Sequence, residues 1–282
     1  MRAYLRNACL ALGVAVLAAS PLARASTFLP AFNPSDFTPG AAINNTYLPF
    51  TPGTLSVLRG SFDDNGETTT EELQRRVLSG RVNIGGVDAT VVQDRAYLNG
   101  VLREIALDYF AQDTTGNVWY LGEDVTNYVY DASGNVVGTN SKGSWRTGVN
   151  GGLPGYAMPA ALLLGFEYFQ EHAPADGALD VGLTFAQNQT VSTPYGSLSG
   201  VQVIYETSQI DLALMELKYY APGLGLVKVG EQLDSSFNPG FSLDLVSVSS
   251  VPEPATWGLM IGGFALTGAA IRSRRRHWVV NP

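Results

Sequence analysis

Short alternations of apolar and polar residues, separated by turn residues, occupy the chain from Leu55 onward. A period of two places the apolar side chains on one face of an extended strand, so each run predicts a half-buried β-strand. The clearest runs are Val87–Leu98 and Val101–Gln112, joined by Asn99-Gly100, which is typical of two-residue hairpins. Hairpin follows hairpin without a helical segment, and the pattern predicts an antiparallel meander over residues 54–250.

A meander of this length has to protect its edge strands, either by curling into a barrel or by folding into a two-sheet sandwich. The sequence predicts this all-β fold class and leaves the two forms open. Thr68–Ile84 favours a strand because Gly80 in its middle would weaken a helix. Leu162–Gln170 and Ile210–Tyr220 are also predicted as strands, whereas Gly148–Pro159 is predicted as an irregular loop.

Residues 26–53 are rich in proline, asparagine and threonine and lack regular alternation. Proline fixes φ and lacks an amide hydrogen, so this segment is predicted to be an extended lead-in with little regular structure. Within it, Tyr47-Leu48-Pro49-Phe50 is expected to dock onto the core of the β body.

The first 25 residues have the features of a secretory signal peptide. Arg2 and Arg6 precede an apolar run, and Ala23-Arg24-Ala25 matches a small-x-small cleavage site. We therefore predict export, with cleavage by signal peptidase after Ala25.

The C-terminus combines a proline-rich break, an apolar run and a basic cluster. Val251-Pro252-Glu253-Pro254 interrupts the last strand, and Ala255–Ile271 carries no charge. This run is at the lower limit of length for a membrane-spanning helix, so a single transmembrane helix is predicted. The cluster of Arg272, Arg274, Arg275 and Arg276 follows at once and is expected to stop transfer on the cytoplasmic side.

This three-part C-terminus, residues 251–277 followed by a short tail 278–282, resembles the PEP-CTERM sorting signal of Gram-negative bacteria. The resemblance implies that Val251, Pro252, Glu253 and Pro254 form the recognition and processing motif of an exosortase. It also implies a precursor anchored briefly in the inner membrane, followed by display at the cell surface or release into a biofilm matrix. The β body resembles exported bacterial β-proteins that have no assigned activity, notably at 108–123 and 218–227.

Charge and cysteine content exclude several kinds of partner and chemistry. The chain has 17 Lys+Arg and 25 Asp+Glu residues, and removal of the two ends leaves ten basic and 24 acidic residues in the body. An acidic body repels phosphate backbones, so nucleic acid is not expected as a partner. The one cysteine, Cys9, lies in the signal peptide, so the mature body has no thiol for catalysis, zinc or iron–sulfur binding.

The body offers few groups for catalysis. His172, its single histidine, is expected to be a solvated loop residue rather than a triad base, and no nucleophile elbow or phosphate loop occurs. A glycosidase needs two opposed carboxylates, for which the candidates are Glu123, Asp124, Glu167 and Glu171. These are expected to be surface carboxylates, and no catalytic residue is predicted.

The body also contains residues that could bind a metal ion or a small ligand. Asp63, Asn65 and Glu67 place oxygens on one turn, as calcium requires, but their spacing is not that of an EF-hand, so a plain hairpin turn is expected. Aromatic residues that could line a ligand cavity are expected mainly to pack the core. They are Tyr97, Tyr109, Trp119, Tyr120, Tyr128 and Trp145.

The sequence therefore predicts an exported surface or matrix protein with a structural or adhesive body and without a metal or cofactor. Its expected partners are the Sec export machinery, signal peptidase, an exosortase, the inner membrane during transit, and exopolysaccharide. Two alternatives stay open: a carrier of a small apolar ligand or sugar in a β-barrel, and a glycoside-active enzyme.

Overall fold

The computed structural model describes residues 27–250. The predicted signal peptide 1–25, the sorting segment 251–277 with its transmembrane helix, and the tail 278–282 lie outside these residues. The described part contains fifteen strands and two short 3-10 helices, Pro34–Asp36 and Pro174–Asp176. The strands are β1 Thr54–Asp64, β2 Glu67–Ile84, β3 Val87–Leu98, β4 Val101–Gln112, β5 Val118–Tyr130, β6 Val136–Asn140, β7 Trp145–Arg146, β8 Leu153–Met158, β9 Glu167–Phe169, β10 Glu171–His172, β11 Asp180–Thr193, β12 Gly196–Ser208, β13 Met215–Ala221, β14 Gly225–Leu233 and β15 Pro239–Ser250.

The strands form one sheet in the order β10-β8-β5-β4-β3-β2-β1-β15-β14-β13-β12-β11-β9. Two meanders, β1 to β5 and β11 to β15, are joined where β1 lies beside β15. Gly60 of β1 permits this approach, because a Cβ at this position would lie 2.0 Å from the carbonyl oxygen of Ser242. The predicted antiparallel all-β fold is confirmed.

The two ends of the sheet meet again, so that the sheet forms a nearly closed barrel. β9 pairs with β11 and β10 pairs with β8, and only Gln170 separates β9 from β10 in the chain. At this seam a Cβ on Gly155 of β8 would lie 2.1 Å from the carbonyl oxygen of Phe169 in β9. Closure protects the edges of the long meander, and of the two predicted forms the structure adopts the barrel.

The lead-in packs on both faces of the sheet. Phe37 joins an outer cluster with Trp119, their ring centroids 5.9 Å apart, whereas Leu48 and Phe50 belong to the barrel core and are 4% exposed. Gln112 holds the lead-in in place between Phe37 and Leu48, because its Oε1 accepts hydrogen bonds from the amides of Asn44 and Asn45. The lead-in therefore fills one part of the interior with apolar side chains.

One loop prediction and two strand predictions were wrong in detail. The predicted loop Gly148–Pro159 contains β8, which lies at the barrel seam. The prediction missed this strand because it contains Pro154 and Gly155, two residue types that are uncommon in strands. In Leu162–Gln170 only β9 is extended, because the amide of Phe166 bonds back to the carbonyl of Leu163 in a turn. Ile210–Tyr220 becomes a strand only at Met215, since Asp211 accepts from the amide of Ala213 and the amide of Leu214 bonds to the Asp211 carbonyl.

Candidate functional site

A cavity whose lining is half charged side chains lies inside the barrel, next to Leu48 and Phe50 of the lead-in. About 70 Å³ of it is open to the centres of water molecules, which is room for roughly five waters. Six carboxyl groups and two cations line it. They are Asp108, Glu123, Glu171, Asp180, Glu206, Glu216, Arg75 and Lys218.

Strand alternation places several of these charges, among them Asp108, on the inward face. On β4, Asp108 lies two residues before Phe110, whose ring contacts Phe50 at a centroid distance of 4.8 Å. Tyr120 of β5 stacks on Phe110 with centroids 4.9 Å apart and planes 16° apart. Since residues i and i+2 of a strand share a face, the same pattern that packs the core also directs Asp108 into the cavity.

Asp108 and Glu123 are direct cross-strand partners, and the hydroxyl of Tyr120 lies between them. The Tyr120 oxygen is 2.7 Å from Oδ1 of Asp108 and 2.9 Å from Oε2 of Glu123. A phenol has one hydrogen, so one of these hydrogen bonds requires a proton on a carboxyl group. Burial, followed by the charges of Asp94 and Glu123, raises the pKa of Asp108 to about 7, and Asp108 is the natural holder of that proton.

In another part of the lining, the cation Lys218 lies among carboxylates. Lys218 pairs with Glu206, and its Nζ lies 3.8 Å from an oxygen of Glu216. Gln170 donates to Oε1 of Glu206 at 2.9 Å, and the Tyr220 hydroxyl lies 3.4 Å from the same atom. Burial disfavours the ammonium form, but the two carboxylates outweigh burial and hold the pKa of Lys218 above its ordinary value.

Arg75 closes the lining from β2 and makes a two-pronged pair with Asp94. Its Nε donates to Oδ1 at 2.9 Å and its Nη2 to Oδ2 at 2.6 Å. The side chains are 17% and 2% exposed, respectively. Both lining cations therefore already have carboxylate partners, and the site as a whole has more carboxyl groups than cations.

The four carboxylates named from the sequence do not form one group. Glu123 and Glu171 line the cavity and are 1% and 2% exposed, so the expectation of surface carboxylates was wrong for these two. Asp124 lies apart from the cavity lining, paired with Arg146 and accepting from the Tyr109 hydroxyl at 2.7 Å. Glu167 accepts from Thr27 Oγ1 at 2.6 Å.

His172 is not the solvated loop residue that was expected. It belongs to β10, is half-buried, and packs its ring at 90° against Phe169 with centroids 5.0 Å apart. Pairing of β10 with β8 at the barrel seam accounts for this placement.

Asp63, Asn65 and Glu67 lie in an exposed hairpin turn between β1 and β2. Oδ1 of Asp63 accepts from the amide of Gly66 at 3.0 Å, and both Asn65 and Gly66 have positive φ, as a two-residue hairpin requires. Within residues 27–250 no group of three or more His, Cys, Asp or Glu side chains is arranged to hold a metal ion.

The candidate aromatic residues are distributed over several environments. Tyr120 lines the cavity, Tyr109 and Trp119 belong to the outer cluster, and Trp145 packs with Ala173 and Ala178. Tyr97 and Tyr128 are half-buried. They do not converge on one apolar chamber, as a carrier of an apolar ligand would require.

Several lining residues were missed from the sequence, above all Asp108, Glu206 and Glu216. A signal was present for two of them, because Asp108 lies two residues from Phe110 and Glu206 lies two residues from Ile204, and both of these neighbours are core residues. A charge at a core position costs free energy unless it is paired. A charged residue at a core position of a strand pattern therefore indicates a buried, paired group.

Comparisons with known proteins found a sorting motif at the C-terminus and two solved structures of low similarity. No curated protein matches the chain. A presumed exported protein with a YmcC-like fold from Bacteroides fragilis is 13% identical and covers 73% of this chain and 99% of its own, with a TM-score of 0.32. A presumed lipoprotein from Parabacteroides distasonis is 14% identical and covers 72% and 99%, with a TM-score of 0.29.

The residues predicted for sorting lie outside the described part, within which no helix is long and apolar enough to span a membrane. Their sequence is nevertheless diagnostic, because residues 250–276 match the model of the PEP-CTERM protein-sorting motif. The match includes the Pro252-Glu253-Pro254 triplet and the four clustered arginines. The chain thus carries a PEP-CTERM protein-sorting motif, which indicates an exported protein sorted by an exosortase.

Proposed function

We propose that the barrel is the non-catalytic, structural or adhesive part of an exported protein that an exosortase delivers to the cell surface or to a polysaccharide matrix. One observation carries this proposal: the last strand, β15, ends at Ser250, and the sorting motif spans residues 250–276. Processing near Pro252 to Pro254 would therefore leave every strand of the barrel intact and release it as a unit.

The sorting part is tested by deletion of residues 252–276 in the native host. Loss of the stop sequence should leave the body exported but shift it from the envelope and surface to the medium, as measured by immunoblots of fractionated cells. Replacement of Pro252, Glu253 and Pro254 by alanine keeps the apolar run and the arginines. This variant should accumulate as an unprocessed membrane precursor, and unchanged surface display of both variants would contradict the proposal.

The non-catalytic role is tested with purified full-length protein and exopolysaccharide from the same cells. The protein should co-sediment with the polysaccharide without releasing reducing ends. Release of reducing ends by the native protein, lost in Glu123→Gln but retained in the exposed control Glu67→Gln, would overturn the structural role and favour the glycoside-active alternative.

A further inference from the structure

We propose that the end of the barrel from which the last strand leaves rests on a lipid bilayer, with the loop 160–164 inserted among the lipid headgroups. This inference goes beyond the proposed function, because neither an exosortase nor a matrix takes part in the contact. It rests on the place where the chain leaves the barrel, on the exposure of two leucines there, and on the lack of charge in most of this end.

The strand directions and two hydrogen bonds define this end, which we call the exit end. β15 is antiparallel to β14, so Ser250, its last residue, lies at the end where β14 begins. In the turn before β14, the amide of Gly223 donates to the carbonyl of Thr46 in the lead-in at 2.8 Å. In the turn between β11 and β12, the amide of Tyr195 donates to the carbonyl of Leu245 in β15 at 3.0 Å. The lead-in, both turns and the end of β15 therefore lie together.

The loop 160–164, between β8 and β9, belongs to the same end. Asn45 of the lead-in donates through Nδ2 to the carbonyl of Gly116 in the turn between β4 and β5, at 3.1 Å. In that same turn, Oδ1 of Asn117 accepts from the amide of Ala160 at 2.8 Å. The loop is thus held beside the lead-in at the exit end.

The sequence brings a bilayer close to this end. From Ser250 the chain continues through Val251-Pro252-Glu253-Pro254 into the uncharged apolar run 255–271, for which a transmembrane helix was predicted. Four residues span at most about 14 Å. A membrane entered by this run therefore lies within a short reach of the exit end and not of the opposite end.

Apolar side chains are exposed on two loops of the exit end. Leu163 and Leu164 are 65% and 66% exposed, and Tyr195 is 44% exposed. Leucine enters the boundary between headgroups and acyl chains, and tyrosine is enriched at the membrane–water interface. Leu212, between β12 and β13, is 80% exposed, but it follows Asp211 and lies at the opposite end.

Charge separates the two ends of the barrel. Five segments of the exit end contain no Asp, Glu, Lys or Arg, namely 43–53, 157–166, 181–205, 219–227 and 245–250. The charges that the described residues place at this end belong to the start of the lead-in and to the β2–β3 and β4–β5 hairpins: Asp36, Arg81, Asp88 and Asp113. The turns and loops of the opposite end contain Asp63, Asp64, Glu67, Asp131, Asp211 and Asp234. Charged groups lose hydration at a bilayer, and anionic lipids repel carboxylates, so the exit end is the one suited to lipid.

The test uses the chain with its sorting segment, expressed without an exosortase and reconstituted into phosphatidylcholine vesicles. The chain without its signal peptide has no cysteine, so single fluorescent labels can be attached in Leu163→Cys and in Leu212→Cys. A quencher carried by the lipids should act at least about threefold more strongly at position 163 than at position 212, because loops at a bilayer surface enter it by about 5–10 Å. Iodide in the water should show the reverse order, and both results should persist in high salt because the contact is uncharged.

Three outcomes would overturn the proposal. Equal lipid quenching at the two positions would show a barrel that is only tethered, a result that leaves the proposed sorting unaffected. Protection of position 163 from both quenchers would assign the loop to a protein partner or to a second copy of the chain. A chain that does not float with the vesicles would contradict any contact with lipid.

A variant of the loop tests the leucines themselves, with a label in Tyr195→Cys as the reporter. Leu163→Ser combined with Leu164→Ser should shift the equilibrium away from the barrel that contacts lipid by at least about tenfold, measured as loss of lipid quenching at position 195. Leu212→Ser, at the opposite end, should leave that quenching unchanged. Circular dichroism establishes the fold, and if the double variant does not fold, Leu164→Ser alone decides. Unaltered quenching in a folded variant would place the contact elsewhere and contradict the inference.

Discussion

The carboxyl groups of the cavity and the aspartates of three turns occupy contrasting environments in this barrel. Inside the barrel wall, Asp108 of the cavity lining and the buried Glu71 of β2 have a pKa raised to about 7, with burial as the first cause and neighbouring carboxylates as the second. In the turns, Asp113, Asp131 and Asp234 have a pKa below the ordinary range. The difference between these pKa values follows from the hydrogen-bond donors around each carboxyl group.

The three turns share the pattern Asp-x-x-x-Asn, at 113–117, 131–135 and 234–238. In each, Oδ1 of the aspartate accepts from the amides two and four residues later, at distances of 2.8 to 3.0 Å. The asparagine side chain donates to Oδ2 as well. These donors belong to the turn itself, so the ionised aspartate is stabilised by the local backbone.

The buried carboxyl groups Asp94 and Glu206 are instead paired with cations on the adjacent strand. Arg75 reaches Asp94 from β2 to β3, and Lys218 of β13 reaches Glu206 of β12. A carboxylate that accepts from its own turn stabilises one hairpin, whereas a buried carboxylate paired across strands couples neighbouring strands of the barrel. The buried carboxyl groups Asp108 and Glu71 also respond to protons near neutral pH.

The largest effect is expected from loss of a cavity cation. Arg75→Met removes the two donors of the buried Asp94 and should lower the free energy of unfolding by about 3–5 kcal/mol, measured by urea denaturation at pH 7. The matched control is Arg59→Met, which breaks the pair with Glu72 at a side chain that is 51% exposed. That loss should stay below about 1 kcal/mol, and equal losses in the two variants would remove the distinction between cavity and surface charges.

The next effect is a dependence of stability on pH. Asp108 and Glu71 hold protons in the folded state up to a pKa of about 7, whereas in the unfolded chain they lose them near pH 4. Between these values the folded state binds more protons, so the free energy of unfolding falls as the pH rises from about 4 to about 7. The turn aspartates act in the opposite sense, and their contribution is lost only as the pH falls below about 4, through their lowered pKa.

Glu71→Gln isolates one part of this dependence. Because glutamine does not titrate, the native protein should lose roughly 3 kcal/mol more than the variant between pH 4 and pH 8, measured by thermal and urea unfolding at each pH. Glu67→Gln serves as the exposed control and should follow the native curve. Parallel curves for the native protein and Glu71→Gln would show that Glu71 is ionised throughout this range.

The sequence was sufficient for the elements that local rules govern. Asn99-Gly100 lies where a two-residue turn was predicted, and β3 and β4 have the bounds read from their alternation. Prediction from the sequence failed where contacts between distant parts of the chain determine the secondary structure. β8 contains Pro154 and Gly155, residues that weaken a strand prediction, yet it forms because Gly155 lets the backbone approach Phe169 at the seam.

The site was predictable only in part for a similar reason. Glu123 and Glu171 were named as carboxylates, but their expected exposure was wrong, because β5 and β10 come together only through their shared pairing with β8, which was predicted as a loop. The partnership of Asp108 with Glu123 depends on the register of β4 against β5, which is shifted by one residue near Tyr109 and Phe110. Such a bulge changes which side chains share a face, and no local signal in the sequence placed it.

The smallest effect is expected within the turns, where Asp113 and Asp131 share one motif in different surroundings. Asp113 also accepts from Nε1 of the buried Trp119 at 2.8 Å, whereas Asp131 is exposed. Asp113→Ala leaves the indole N–H without its acceptor and should cost about 2–3 kcal/mol, measured by urea unfolding at pH 7. Asp113→Asn retains a carbonyl acceptor and should recover part of that loss, while Asp131→Ala should cost clearly less than Asp113→Ala. If the two alanine variants were equally destabilised, the turn hydrogen bonds alone would set the stability of both hairpins, and the buried contact with Trp119 would contribute nothing.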